Sequence, residues 1–117
     1  MKRHLPAKAA DAREIRRAWL RFQPHCEATQ GAHWGAMSVH EPWTRARGGP
    51  TDDPRNMATL CVEHNRLVSQ DAGWMVWAYQ HGLLVRAQNG PEWLAAGGRL
   101  PGMTKDDAVQ MVLRRPA

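Results

Sequence analysis

Residues 39–65 read Val39-His40-Glu41-Pro42-Trp43-Thr44-Arg45-Ala46-Arg47-Gly48-Gly49-Pro50-Thr51-Asp52-Asp53-Pro54-Arg55-Asn56-Met57-Ala58-Thr59-Leu60-Cys61-Val62-Glu63-His64-Asn65. The stretch is entered through an alternating piece, Met37 to Glu41, which predicts a strand. From Arg45 to Pro54 the chain is dense in turn formers and reads as a loop. Met57 to Leu60 predicts a second strand, and a helix follows from Val62 to about Asp71. The pattern is therefore α+β, with strand, loop, strand and helix in succession. Chemistry-bearing residues crowd into and just before it: Cys26, His33, His40, Glu41, Asn56, Cys61, His64 and Asn65. Singly, such residues are usually structural, a histidine satisfied by a neighbour or a cysteine acting as a small buried apolar group.

Outward from this centre, Ala12, Ile15, Trp19 and Phe22 recur at helical spacing, with arginines on the remaining faces, and predict a helix over 7–22 that Pro24 ends. Residues 74–81 read as another short helix stopped by Gly82, with Leu83-Leu84-Val85 as an apolar tail packing back. Residues 89–103 are rich in glycine and proline and read as a linker. Thr104 with Asp107 resembles a capping box that opens a last helix to about Arg115. That helix, ending in Arg114-Arg115, suits either partner docking or a second phosphate contact. Of the tryptophans, Trp19, Trp74, Trp77 and Trp93 are expected in the core and its lid, while Trp34 and Trp43 flank the central stretch and are the candidates for base stacking.

The 117 residues suffice for one domain, and 43% hydrophobic with 23% charged residues excludes wholesale disorder. No apolar run approaches the roughly 18 residues that span a bilayer. The start, Met1-Lys2-Arg3-His4-Leu5-Pro6, is basic without an apolar signal region, so an intracellular protein is expected. In a reducing compartment, Cys26 and Cys61 favour metal ligation over a disulfide. Residues 1–21 carry seven basic side chains, among them Arg13, Arg16 and Arg17, against Asp11 and Glu14, so the whole net charge of +5 resides there. A basic arm on a neutral body is the footprint of a polyanion binder.

The ordered run His40-Glu41, Gly48-Gly49, Asn56, Leu60-Cys61, His64-Asn65 resembles the HNH endonucleases, in particular the small stand-alone members common in bacteriophage genomes. The resemblance covers roughly residues 23–86 and implies a single HNH domain over 1–117 with a ββα-metal (His-Me finger) core: a two-stranded hairpin, a long loop and a helix around one catalytic divalent ion. In that register His40 ligates the catalytic metal and Glu41 stands where the family normally has its histidine base. Asn56 braces the loop and orients the base. Asn65 stands at the final metal-binding position, a substitution some family members share. Glu41 is then either the base or, as a carboxylate beside a cation, a further ligand. Mg²⁺ or Mn²⁺ suits oxygen donors, and Ni²⁺ is another candidate. Arg45 and Arg47, before the glycines, would meet phosphates.

The same resemblance implies a structural zinc. Cys61 and His64 form a C-x-x-H pair, and Cys26 with His33 stands where phage members carry their first pair. Together they make a closed Cys₂His₂ set, the chemistry of a structural site. His25 is an alternative to His33, although adjacent residues rarely chelate one ion. The implied function is metal-dependent hydrolysis or nicking of double-stranded DNA with low sequence specificity, in the cytoplasm of a bacterial host. The alternative is a non-cleaving, zinc-stabilised DNA-binding module accessory to a phage terminase.

Overall fold

The structure, a computed structural model, describes residues 11–114. Helix α1 runs Ala12–Phe22, strand β1 Met37–His40, β2 Ala58–Cys61, α2 Val62–Gln70, α3 Ala72–Gln80, α4 Gly90–Ala95 and α5 Lys105–Arg114. The two strands pair antiparallel, with Met37 opposite Cys61 and His40 opposite Ala58. The architecture is thus mixed: helices around a small antiparallel sheet.

Each element has a local cause. The Asp11 carboxylate accepts the Glu14 N–H at 2.8 Å and caps α1, so the helix starts at Ala12; residues 7–10 of the expected helix lie outside the described residues. Asp71 caps α3 by accepting the Trp74 N–H at 3.0 Å, which begins that helix two residues before Trp74. Thr104 accepts the Asp107 N–H at 3.1 Å and opens α5. Arg115, the expected end of α5, is outside the described residues.

Side-chain alternation buries β2 on both faces, and all four of its residues are inaccessible. Ala58 and Leu60 join Ala28, Val68, Ala78, Leu83 and Leu84 in one core, beneath α2 and α3. Met57 and Val39 lie in a second core with Ile15, Ala18 and Trp19 of α1 and Val112 of α5. Thr59 ties this side down: its hydroxyl accepts from Trp19 Nε1 at 3.0 Å and donates to the Gln23 carbonyl at 2.6 Å. The apolar tail packs back as expected, with Leu83 donating its N–H to Ala78.

Residues 89–103 are not a linker. They hold α4 and a tight turn, and the glycines serve close approach. Gly90 lies under the Trp43 indole, where a Cβ would come within 2.3 Å of the ring. Arg55 donates to the Leu94 and Met103 carbonyls at 3.1 and 3.3 Å, and accepts the Arg99 N–H on its own carbonyl. Trp43 is accordingly half-buried over Gly90, its Nε1 donating to the Arg47 carbonyl at 2.8 Å. Trp34 is exposed, at 68%. The Ala108–Val112 face of α5 packs against α1, so this helix is a core element before anything else.

Candidate metal centre and adjoining cleft

Cys61 ends β2 and also caps α2, accepting the His64 N–H at 3.4 Å. His64 therefore follows on the first turn of the helix, its Nδ1 3.1 Å from the Cys61 sulfur. Cys26, whose segment is held to β2 by the Glu27 N–H bonded to the Thr59 carbonyl, brings its sulfur to 3.6 Å from the same Nδ1. His33 approaches Cys61 with Nδ1 at 3.9 Å. The four donor atoms lie within 4.8 Å of one another. Tetrahedral zinc, with Zn–S about 2.3 Å and Zn–N about 2.0 Å, sets donor atoms roughly 3.5 Å apart, so the set fits such an ion.

The second layer of contacts agrees with that chemistry. His64 Nε2–H donates to the Gln30 carbonyl at 2.6 Å, which leaves Nδ1 as the lone-pair nitrogen facing both sulfurs. The Trp74 ring stands edge-on to His64, centroids 5.2 Å apart. Burial works to raise the Cys61 thiol, but N–H groups of His64 and Trp34 and the rings of His33 and His64 outweigh it and bring the thiol down to about 6. Burial raises the Cys26 thiol, against N–H bonds from Cys61 and Ala28. Cys26, His33, Cys61 and His64 can hold a metal ion such as zinc; His25 is not in the cluster.

At 3.6 residues per turn, consecutive residues of α2 point about 100° apart. His64 faces the metal cluster, and Asn65 faces a cleft of about 450 Å³. The cleft lies between α1, β1 and α2, and its lining includes Arg16, His40, Glu41, Arg47, Asn65 and Ser69. His40 is buried, and its Nε2–H donates to the Leu83 carbonyl at 2.5 Å. Burial lowers its pKa from 6.5, so the ring is neutral at pH 7, with Nδ1 carrying the lone pair. The Glu41 carboxylate pairs with the Arg16 guanidinium from α1.

The structure thus gathers His40, Glu41 and Asn65 with Arg16 and Arg47. Arg13, Arg17 and Arg45 are exposed outside the lining. Asn56 is also outside it. It is wholly buried and braces the loop, accepting the Trp43 N–H at 2.9 Å and donating to the Trp43 and Pro50 carbonyls at 2.8 and 2.9 Å. Gly49 in that loop leaves no space for a side chain, since a Cβ would meet the Trp43 carbonyl at 1.7 Å.

Sequence reasoning missed two features. One is the Arg16–Glu41 pair. The other is Tyr79, whose hydroxyl accepts from Arg47 at 2.6 Å and whose ring lies 4.8 Å from the Arg86 guanidinium. Neither leaves a local signal, because each joins residues distant in the chain. Comparison with models of known families, with curated proteins and with solved structures finds no match to this chain.

Proposed function

We propose that the protein is a metal-dependent endonuclease or nickase acting on DNA phosphodiesters, of HNH type. The observation that carries this reading is the cleft: one imidazole, one carboxylate and one carboxamide face a cavity rimmed by two guanidinium groups, beside a compact Cys₂His₂ cluster. This combination suits phosphodiester hydrolysis, in which a water attacks phosphorus and a poor leaving oxygen departs.

The contacts favour exchanging the roles that the family register gives to His40 and Glu41. Glu41 and Asn65 both offer oxygen, the donor preferred by Mg²⁺ and Mn²⁺. His40 has the makings of a base: its Nε2–H is fixed on the Leu83 carbonyl, and Nδ1 is left to accept the proton of the attacking water. Glu41 and Asn65 would hold a divalent ion there, which would supply charge stabilisation at the phosphate and the leaving oxygen. Arg47, anchored on Tyr79, meets an adjacent phosphate, and the exposed arginines of α1 extend the contact along the backbone. The Cys₂His₂ cluster is proposed to hold zinc as scaffolding.

Incubating supercoiled plasmid with the purified protein and Mg²⁺, Mn²⁺ or Ni²⁺ tests the activity. Relaxed or linear product, reduced at least a hundredfold in His40→Ala, is the expected result. Calorimetric titration with Mn²⁺ tests the roles, with affinity retained in His40→Ala and lost in Glu41→Gln. Retention of DNA without cutting under every metal would replace the enzyme reading with that of a binding module.

A further inference from the structure

The ion pair between Arg16 and Glu41 spans two elements, with side chains 30% and 13% exposed, and sits inside the lining of the cleft. It is the one pair joining α1 to the segment after β1 among the ion pairs of the described residues. Arg16 has no other acceptor among the contacts of those residues, whereas Arg55 and Arg99 each bond backbone carbonyls as well as a carboxylate. A guanidinium so held is free to leave its partner without opening the fold. The two other arginine pairs of comparable burial are structural ties; this one faces the cavity.

From this we infer that Arg16 is a phosphate-binding residue stored on the cation site: the guanidinium occupies Glu41 until a divalent cation takes the carboxylate, and then turns to the DNA phosphate. The inference rests on the reading above, in which Glu41 is a ligand. The exchange is balanced in charge. Before it, one cation and one carboxylate neutralise each other in a partly desolvated cleft. After it, the carboxylate faces the divalent ion and the guanidinium faces a phosphate, so neither is left uncompensated. Cation and DNA then bind with positive coupling, each removing the other's competitor. Ion and substrate would be taken up together, and the free protein would hold the cation weakly.

Two binding measurements without cleavage test this, on full-length, zinc-loaded protein. In Mn²⁺ titration without DNA, Arg16→Met is expected to bind about three- to tenfold more tightly than wild type, the effect of removing one competing charge-assisted bond. Arg16→Met in the Glu41→Gln background is expected to change nothing further. In fluorescence anisotropy with a labelled duplex and no added divalent ion, Glu41→Gln is expected to bind DNA more tightly than wild type, and the gain to vanish in the double variant. Circular dichroism and zinc content verify that each variant is folded, and Arg16→Lys, which keeps a charge but not the fork, should fall between. Unchanged or weaker Mn²⁺ affinity in Arg16→Met, or unchanged DNA affinity in Glu41→Gln, overturns the exchange. Equal Mn²⁺ affinity in wild type and Glu41→Gln overturns the ligand reading itself, and with it the exchange.

Discussion

Cys61 carries two loads because it stands at a junction. It ends a buried strand, and its sulfur both accepts the α2 cap hydrogen bond and faces His64 and His33. Cys61→Ser separates the loads, since a hydroxyl can cap but is a poor zinc ligand. Zinc in small folds supplies about 10–16 kcal/mol of apparent binding energy. With zinc held there as proposed, Cys61→Ser and Cys61→Ala are both expected to lose it by elemental analysis, together with the cooperative thermal transition. His40 offers a pH-dependent check. Its folded-state pKa lies below the 6.5 of a free ring, so below that pH the unfolded chain takes up a proton that the folded chain refuses. That contribution to stability is intact above 6.5 and falls away as the pH drops beneath it. The stability advantage of wild type over His40→Gln, read from urea midpoints, is expected to shrink from pH 7.5 to 5.5. The C-x-x-H pair was legible in the sequence because its spacing fits one helical turn. The Arg16 partner was not, because 25 residues separate it from Glu41.

At the level of elements, the loop 45–54 shows what composition hides. Turn formers there announced a loop, and Asn56 was expected to brace it; three hydrogen bonds from that one carboxamide do so. Asn56→Ala is expected to cost about 2–4 kcal/mol in chemical denaturation, because it strands buried backbone groups. Residues 89–103 misled for the opposite reason. Glycine and proline mark flexible chain when solvated, but here they permit backbone to lie against rings, a tertiary fact with no periodicity. Gly90→Ala is expected to lower the thermal midpoint by several degrees, since the added methyl would meet the Trp43 ring at 2.3 Å. The strand pair and α2 were readable because alternation and helical spacing are local.

Across the whole molecule, the sheet is sandwiched between two cores, and the segment after α3 is tied back by Arg55 and Arg99. Arg99 pairs with Glu27 at 2.5 Å and donates to the Gly82 carbonyl at 3.4 Å, so it joins the approach to Cys26 with the turn beyond α3. Arg99→Ala is expected to speed zinc loss to a chelator by a few-fold, followed with a colorimetric zinc indicator, while leaving the cluster's composition unchanged. The described part of the basic arm, residues 11–21, has two faces. Ile15, Ala18 and Trp19 belong to the core, whereas Arg13, Arg17 and Arg21 stand in solvent. Under the proposed DNA-binding function, neutralising the outer three is expected to weaken DNA retention and flatten its salt dependence without shifting the thermal midpoint. Among the described residues no helix is long and apolar enough to cross a membrane.

The edge-on contact of Trp74 with His64, continued by Trp77 at 5.2 Å, has a practical consequence. An indole touching an imidazole changes its emission when that ring binds or releases a metal ion or is protonated. Loading a metal ion into the cluster should therefore alter the intrinsic fluorescence, giving the chain a built-in optical gauge of occupancy. Trp74→Phe should silence it.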